Sequence, residues 1–449
     1  MIRLHRSSWL QFFALGALTM LLAGCGQVSQ SDLQTLEPVS TVTPTMRPAA
    51  SPTALPDLPA GPFAWSGEER PLLMAHYMPW YQTPAVSGYW GWHWTMNHFS
   101  PKQNAQVEWL DLASHYTPLT GPYDSQDEAI LEYQVALMKL SGIDGVIVDW
   151  YGIENFWDYG TINQSTARLF TAIKRAGMKF VICYEDQTLK HMIENGHLKK
   201  EDAISHGQEV MRYLQTTWFG DDAYLKEAGR PVLFVFGPQY FKGGDWDALF
   251  SVLDVKPLFV VLDNHLVPAV DSSYPWPPMW ASQAGVLSHD TLKSYLMDFY
   301  ERAAVWDFRV AGAFPGFHDI YKEAGVGNSY GYLDDLGGKT FRYTLQEALN
   351  QQPQLIQLIT WNDYGEGTII EPTVEFEYRY LEMVQEARHS IEKGKFPFNA
   401  DDLRLPFDLL QLRRGAVQDS AVLAQLDKAY EAMLAGDLAT ARQIMDQYR

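Results

Sequence analysis

Cysteine is almost missing: the 449 residues hold two, Cys25 and Cys183. A disulfide framework is therefore excluded. Cations are short as well, 34 Lys and Arg against 54 Asp and Glu, for a formal charge of −20. A surface of that sign repels nucleic acid and anionic headgroups, so no nucleic-acid partner is expected. No glycine-rich dinucleotide fingerprint follows the first β-type run, which counts against a doubly wound nucleotide-binding sheet. Long apolar runs are lacking too. The N-terminal one, Trp9 to Leu22, is too short to span a bilayer.

That run sits between a basic start (Arg3, Arg6) and the sequence Leu22-Ala23-Gly24-Cys25, the layout of a secretory signal over residues 1–25. Its ending resembles the bacterial lipoprotein lipobox, which implies cleavage before Cys25 and lipid on the Cys25 sulfur. The protein is then expected to be exported and lipid-anchored to the bacterial cell membrane or outer membrane, facing outward or the periplasm. The alternative is an ordinary signal peptide with an incidental cysteine. Cleavage leaves 32 cations against 54 acids, a formal charge of −22. Membrane contact should thus run through the lipid rather than a basic patch. With Cys25 so used no disulfide can form, and Cys183, beside Phe180, Val181 and Ile182, is a small core residue rather than a catalytic thiol. Residues 26–62 are rich in Ser, Thr and Pro and make a disordered tether.

From Pro71 onward short apolar runs alternate with amphipathic stretches. Strands are expected at Leu72–Met78, Gly145–Trp150, Lys179–Tyr184, Pro231–Gly237, Leu258–Asp263, Met279–Ser282, Phe308–Phe314 and Leu355–Trp361. Helices are expected at Glu128–Leu140, Gln164–Ala176, Lys200–Thr216, Asp245–Val252, His289–Val305 and Thr340–Asn350. Near-continuous apolar strands between helices indicate a parallel sheet covered on both faces. Eight such units fit an α/β chain folded as a (β/α)8 TIM barrel over 63–390. Residues 391–449 form a helical C-terminal extension. Its hairpin, Ser420–Met433 and Leu438–Tyr448, faintly resembles one tetratricopeptide unit and either packs on the barrel or meets a partner.

Each apolar run stops at polar or aromatic residues: His76-Tyr77 with Trp80-Tyr81, Asp149-Trp150-Tyr151, Tyr184-Glu185-Asp186, Asp263-Asn264-His265, Trp280, His318-Asp319, and Asp363 with Glu366. In a barrel these edges converge on the face that carries catalysis. The loop after the first strand is long. It and that strand's end hold seven aromatics between Tyr77 and Trp94, rings that either stack on sugar or form a small core over the barrel mouth. The eighth run, Leu355–Pro372, breaks at Trp361-Asn362 into a loop with Asp363, Gly365, Glu366, Gly367 and Glu371. Two carboxylates three residues apart at a strand's C-terminal mouth suit an acid/base pair. An Asp-x-x-Glu can equally be a cap followed by a solvated charge.

The segment Ala75–Trp94 (HYMPWY, then GWHW) resembles the first strand and loop of glycoside hydrolase family 99, the endo-α-mannanase and endomannosidase group. Gly142–Gly152 (GIDGVIVDWYG), Tyr184-Glu185 and Pro315–Tyr321 resemble its second, third and seventh strand ends. Trp361–Pro372 is similar to both that family and the family 71 α-1,3-glucanases. The resemblance covers Pro71–Glu386 in ordered pieces. It implies a retaining, endo-acting hydrolase of α-linked glycan, of α-mannan or α-1,3-glucan type, with an oligo- or polysaccharide substrate and no cofactor. It implies Glu366 as general acid/base and Asp363 as second carboxylate. Family 99 has glutamate at the latter position, where it is thought to deprotonate the sugar 2-hydroxyl; Asp is one methylene shorter. Tyr77, Trp80, Tyr81, His93, Trp94, Asp149, Trp150, Glu185 and His318 are expected to bind substrate. The set His76, His93, His98, Asp149 and Asp263 matches no metal-ligand spacing, so no metal is expected. A catalytically silent glycan-binding lipoprotein and a transglycosylase on the same fold are the competing readings.

Overall fold

The computed structural model describes residue 58 and residues 61–449, apart from 105–108 and 417. The expected signal segment, the expected lipidation site Cys25 and most of the expected tether lie outside the described residues. Eight parallel strands carry the architecture: β1 Leu72–Tyr77, β2 Gly145–Trp150, β3 Lys179–Tyr184, β4 Arg230–Val235, β5 Leu258–Leu262, β6 Ser272–Tyr274, β7 Val310–Ala313 and β8 Leu355–Leu358. They pair in the order β7-β8-β1-β2-β3-β4-β5-β6. β1 sets Leu72 opposite Leu355 of β8 and Met74 opposite Gly145 of β2. A Cβ at Gly145 would stand 2.1 Å from the Lys179 carbonyl oxygen, so the close approach of β2 and β3 requires glycine there. Between β6 and β7 the ring closes without a ladder; the Ser272 hydroxyl donates to the Phe308 carbonyl at 2.5 Å. The result is a nearly closed (β/α)8 barrel.

The sixth strand is not where the sequence suggested. Met279–Ala281 is a single 3-10 turn, and the strand is Ser272–Tyr274, three buried residues just upstream. Its serines hide it from an apolar pattern, and prolines at 275, 277 and 278 end it at once. The other seven strands lie within the expected runs or begin a residue earlier.

The covering helices are α1 Glu128–Ser141, α2 Tyr159–Arg175, α3 Gln187–Glu194, α4 Ala203–Leu214, α5 Asp245–Phe250, α6 His289–Ala303, α7 Lys339–Asn350 and α8 Arg379–Ile391. α3 was not expected from sequence. The stretch expected as one helix over Lys200–Thr216 is α4 flanked by a 3-10 turn at Lys200–Asp202 and a π turn at Gln215–Phe219. α1 starts at Asp127, whose carboxylate accepts from the Ala129 amide at 3.0 Å. Nearly all of α1 is buried because a second layer covers it: α9 Leu405–Gly415, α10 Ser420–Leu434 and α11 Leu438–Met445. Glu132 of α1 ties the layers, pairing with Arg175 of α2 at 3.0 Å and Arg413 of α9 at 2.7 Å. The C-terminal helices thus pack on the barrel.

At the end where the strands begin, Arg388 of α8 is wholly buried. Its guanidinium donates to the Gly142 carbonyl at 2.8 Å and to Asp144 at 2.5 Å, and Asp144 also accepts from the Leu73 amide and from Arg70. This cluster fixes the turn that launches β2. Removing the cation leaves a carbonyl and a carboxylate short of donors. Arg388→Met should therefore lower the unfolding free energy by about 3 kcal/mol, measured by chemical denaturation, with the near-ultraviolet dichroism of the folded protein unchanged.

Candidate active site

β8 ends at Leu358, and the following loop runs back across the mouth of the barrel. The side chain of Asn362 fastens it. Its carbonyl oxygen accepts from the Met78 amide at 2.8 Å, and its amide donates to the Met78 carbonyl at 3.0 Å and the Tyr123 hydroxyl at 2.9 Å. The Tyr81 hydroxyl donates to the Asn362 carbonyl at 2.8 Å and accepts from the Tyr364 amide at 3.1 Å. Farther along, Glu371 is buried and accepts from Gln134 at 2.7 Å, Tyr123 at 2.8 Å and Tyr364 at 2.9 Å. Burial pushes its carboxyl up to about 7, although those donors favour the charged form.

Between these anchors stand the two carboxylates. Asp363 is 5% exposed; its Oδ1 accepts from the Glu366 amide at 2.9 Å, and its own amide donates to Thr360 Oγ1 at 2.8 Å. Gly367, at φ +69°, makes the turn possible and lets the chain pass against His318, whose carbonyl oxygen a Cβ there would meet at 2.8 Å. Glu366 is half-buried and accepts from the Tyr321 hydroxyl at 3.3 Å. Desolvation, reinforced by the charges of Asp363 and Asp319, pushes its carboxyl well above the usual range. Asp363 rises less, to about 6: burial raises it while the amides of Glu366 and Gly365 hold it down. Across the mouth Asp149 and Glu185 face each other, both buried. Desolvation and the Glu185 charge drive Asp149 up, and burial takes Glu185 to about 7 while Gln187 donates to it at 2.6 Å. Among the described residues no Lys or Arg pairs with any of these carboxyls.

The other expected residues fall into two groups. Trp80, His93 and His318 line the mouth. The Trp80 and His93 rings stack 4.1 Å apart, and His93 faces Asp158 at 3.5 Å. His318 stacks on His115 at 3.6 Å, and its amide donates to the Glu366 carbonyl at 2.8 Å. Tyr77, Tyr81, Trp94 and Trp150 are wholly buried and support the site from behind. Tyr77 donates to Gln134 of α1 at 2.6 Å, and Trp94 to the Tyr123 carbonyl at 2.8 Å. Trp150 points outward to α2, donating to Asn163 at 3.0 Å.

Sequence reasoning named Asp319 as a strand-end residue and Tyr321 within a matching segment but gave neither a site role; Tyr321 bonds Glu366, and Asp319 accepts from Ser329 and the Tyr330 amide and so folds the loop beside it. Both stand a few residues past β7, where polar groups at strand ends were the available signal. The set of five possible metal ligands does not gather. His93 faces Asp158, His98 packs on Phe99 and Asp263 is held by Arg302, whereas His76 and Asp149 do meet, in company with Cys183.

No protein-family model matches the chain. It is 24% identical over 381 residues to the glycoprotein endo-alpha-1,2-mannosidase of Rattus norvegicus, a match covering 76% of this chain and 79% of that one. It is 24% identical over 342 residues to a glycoprotein endo-alpha-1,2-mannosidase-like protein of Danio rerio, covering 70% and 74%. The barrel superposes on the GH99 endo-alpha-mannosidase of Bacteroides thetaiotaomicron, solved with bis-tris propane, with a TM-score of 0.51 and 21% identity, over 75% of this chain and 98% of that one. The chain is thus similar in sequence, over more than two thirds of its length, to glycoprotein endo-alpha-1,2-mannosidases, and it shares its fold with a GH99 endo-alpha-mannosidase.

Proposed function

We propose that the chain is an exported, lipid-anchored glycoside hydrolase that cuts α-mannan-type glycan internally and with retention. The observation that carries the reading is the unequal treatment of two neighbouring carboxyls. Glycosidic cleavage needs one group to hold a proton for the leaving oxygen and another to act as an anion. The Glu366 carboxyl, desolvated and next to like charge, keeps its proton; after the leaving oxygen takes it, the resulting carboxylate accepts one from the attacking water. Asp363, stabilised as an anion by two amides, is the second carboxylate. Tyr321 orients Glu366. The relatives' names support mannose as the sugar.

Internal cutting is supported by flat rings set out along the same end of the barrel. Trp157 on the loop after β2 and Trp280 on the loop after β6 are 57% and 64% exposed. Such rings stack on successive sugars of a long chain. Export and anchoring rest on the signal-like residues 1–25 and the lipobox-like Leu22–Cys25.

Three outcomes are expected. Glu366→Gln and Asp363→Asn should each lower the release of reducing ends from α-mannan by at least roughly 10²-fold with KM little changed. Equal release by Glu366→Gln and parent would remove Glu366 from the chemistry. Redistribution of chain lengths with no net gain in reducing ends would mark a transglycosylase, and binding without any change in the glycan a lectin-like protein. In the parent, kcat/KM should rise through about pH 6 as Asp363 loses its proton and fall at a higher pH as Glu366 does. A flat acid limb would sink the assignment of Asp363. Finally, metabolic labelling with a radiolabelled fatty acid should mark the wild-type chain and place it in the membrane fraction, and Cys25→Ser should lose both.

A further inference from the structure

The inner wall of the barrel holds a polar layer, sharing Asp149 with the mouth, through which the proposed hydrolysis routes no step. Register places its members together. Asp149 of β2 lies opposite Cys183 of β3, His76 of β1 opposite Ile147, two residues before Asp149, and Gln357 of β8 opposite Met74, two residues before His76. With a side-chain period of two, all four face the barrel interior. Each is at most 2% exposed. A ring nitrogen of His76, a carboxylate oxygen of Asp149 and the sulfur of Cys183 all lie within 4.8 Å of one another.

Such a layer is costly unless something satisfies it. Gln357 Nε2 stands 2.8 Å from His76 Nδ1; with the amide turned over, Oε1 accepts the Nδ1 proton and His76 Nε2 keeps a bare lone pair for a ligand. Yet His76 Nε2 and the Gln357 amide atom turned away from Nδ1 are buried with no hydrogen-bond partner among the described residues. Asp149 Oδ1 has none either, although the Asp149 carboxyl shares a hydrogen bond with Glu185. Tyr274 stands 3.7 Å from the Cys183 sulfur and donates its proton to the Val235 carbonyl at 3.0 Å. Three different ligand types converge where the neutral protein leaves polar atoms unmatched.

We propose that His76, Asp149 and Cys183 form a site for one divalent ion of the zinc class at the catalytic end of the barrel. One imidazole, one carboxylate and one thiolate are a donor set for a borderline-soft metal and unsuited to calcium or magnesium, which take oxygen. A neutral imidazole with two anions and a dication sums to zero charge, the state that a buried layer tolerates. A point equidistant from three atoms at most 4.8 Å apart lies about 2.8 Å from each, so the side chains need close in by only about 0.5–0.8 Å to reach zinc bond lengths. The ion would cross-link β1, β2 and β3 and hold Asp149 beside Glu185. The proposed hydrolysis routes no step through the ion.

The full chain, stripped with chelator, exchanged with Co2+ and passed through a desalting column, gives the test. A tetrahedral thiolate–cobalt absorption with about one metal per chain is expected, persisting in Cys25→Ser and vanishing in Cys183→Ser. His76→Gln should weaken cobalt binding by at least about 100-fold. Added Zn2+ should displace the cobalt and raise the unfolding temperature of the wild type but not of Cys183→Ser. The proposal fails if folded wild type gives no thiolate band, or if the band and metal content are unchanged in Cys183→Ser. Absence of the band in the wild type decides against the site even if both variants misfold, leaving the layer as a proton-sharing Asp149–Glu185 pair. Glycan release by the metal-free protein bears on the hydrolase reading alone, so the two can fail separately.

Discussion

One side-chain amide, that of Asn362, governs the geometry of the mouth. It makes a two-point contact with the backbone of Met78 and a third with Tyr123, so the exit of β8 is bonded to the exit of β1. Aspartate there would lack the donor and alanine would lack both, each leaving buried backbone groups unmatched. Tyr81 and Glu371 extend the same lattice to Tyr364, Gln134 and α1. Asp363 and Glu366 sit between these fixed points, so their placement follows from a network neither belongs to. This also explains why so many expected binding residues turn out to be buried. Tyr77, Tyr81 and Trp94 do not reach into the mouth; they are the stiff backing that keeps it in shape.

Rigidity of that kind dries the site, and dryness sets its electrostatics. Desolvation is the first cause of the upward shift at Asp149, Glu185, Asp363, Glu366 and Glu371 alike. Cations are kept away. The buried guanidinium of Arg388 serves Asp144 at the opposite end of the barrel, and Arg302 is spent on Asp263. One fold thus runs two regimes. At the strand starts, charges of both signs neutralise each other and stabilise; at the strand ends, like charges are crowded so that protons are retained. The cost is paid in stability as pH rises, because each raised carboxyl binds a proton more tightly folded than unfolded.

How much of this was visible in the chain can be judged residue by residue. Seven strands announced themselves as apolar runs because a parallel barrel strand is buried on both faces. The sixth, Ser272–Tyr274, did not; its Ser272 hydroxyl is satisfied at the barrel seam rather than by water. The convergence of polar strand ends on one mouth followed from parallel topology alone. What the sequence did not disclose was direction: Trp150 and Glu185 both end strands, yet one faces α2 and the other the mouth. Nor did it disclose that Cys183, surrounded in sequence by Phe180, Val181 and Ile182, shares the inner face with His76 and Asp149. Period two hides such partners, since the apolar neighbours on each side belong to the other face or the layer below.

The aspartate at 363 is best understood through its bond to the Glu366 amide. A carboxylate three residues before an amide can cap a turn, and at that spacing Asp reaches the backbone where the longer Glu has to fold back. The structural use of Asp363, as a cap, and its proposed chemical use are therefore one arrangement. The amide that receives the cap belongs to the acid, so the anion is stabilised by the same backbone that presents Glu366. Shortening the side chain ties the second carboxylate to the first, and the charge on Asp363 in turn helps Glu366 to keep its proton. Lengthening Asp363 to glutamate would release the cap and carry the carboxylate farther into the mouth, trading a lower proton affinity for reach.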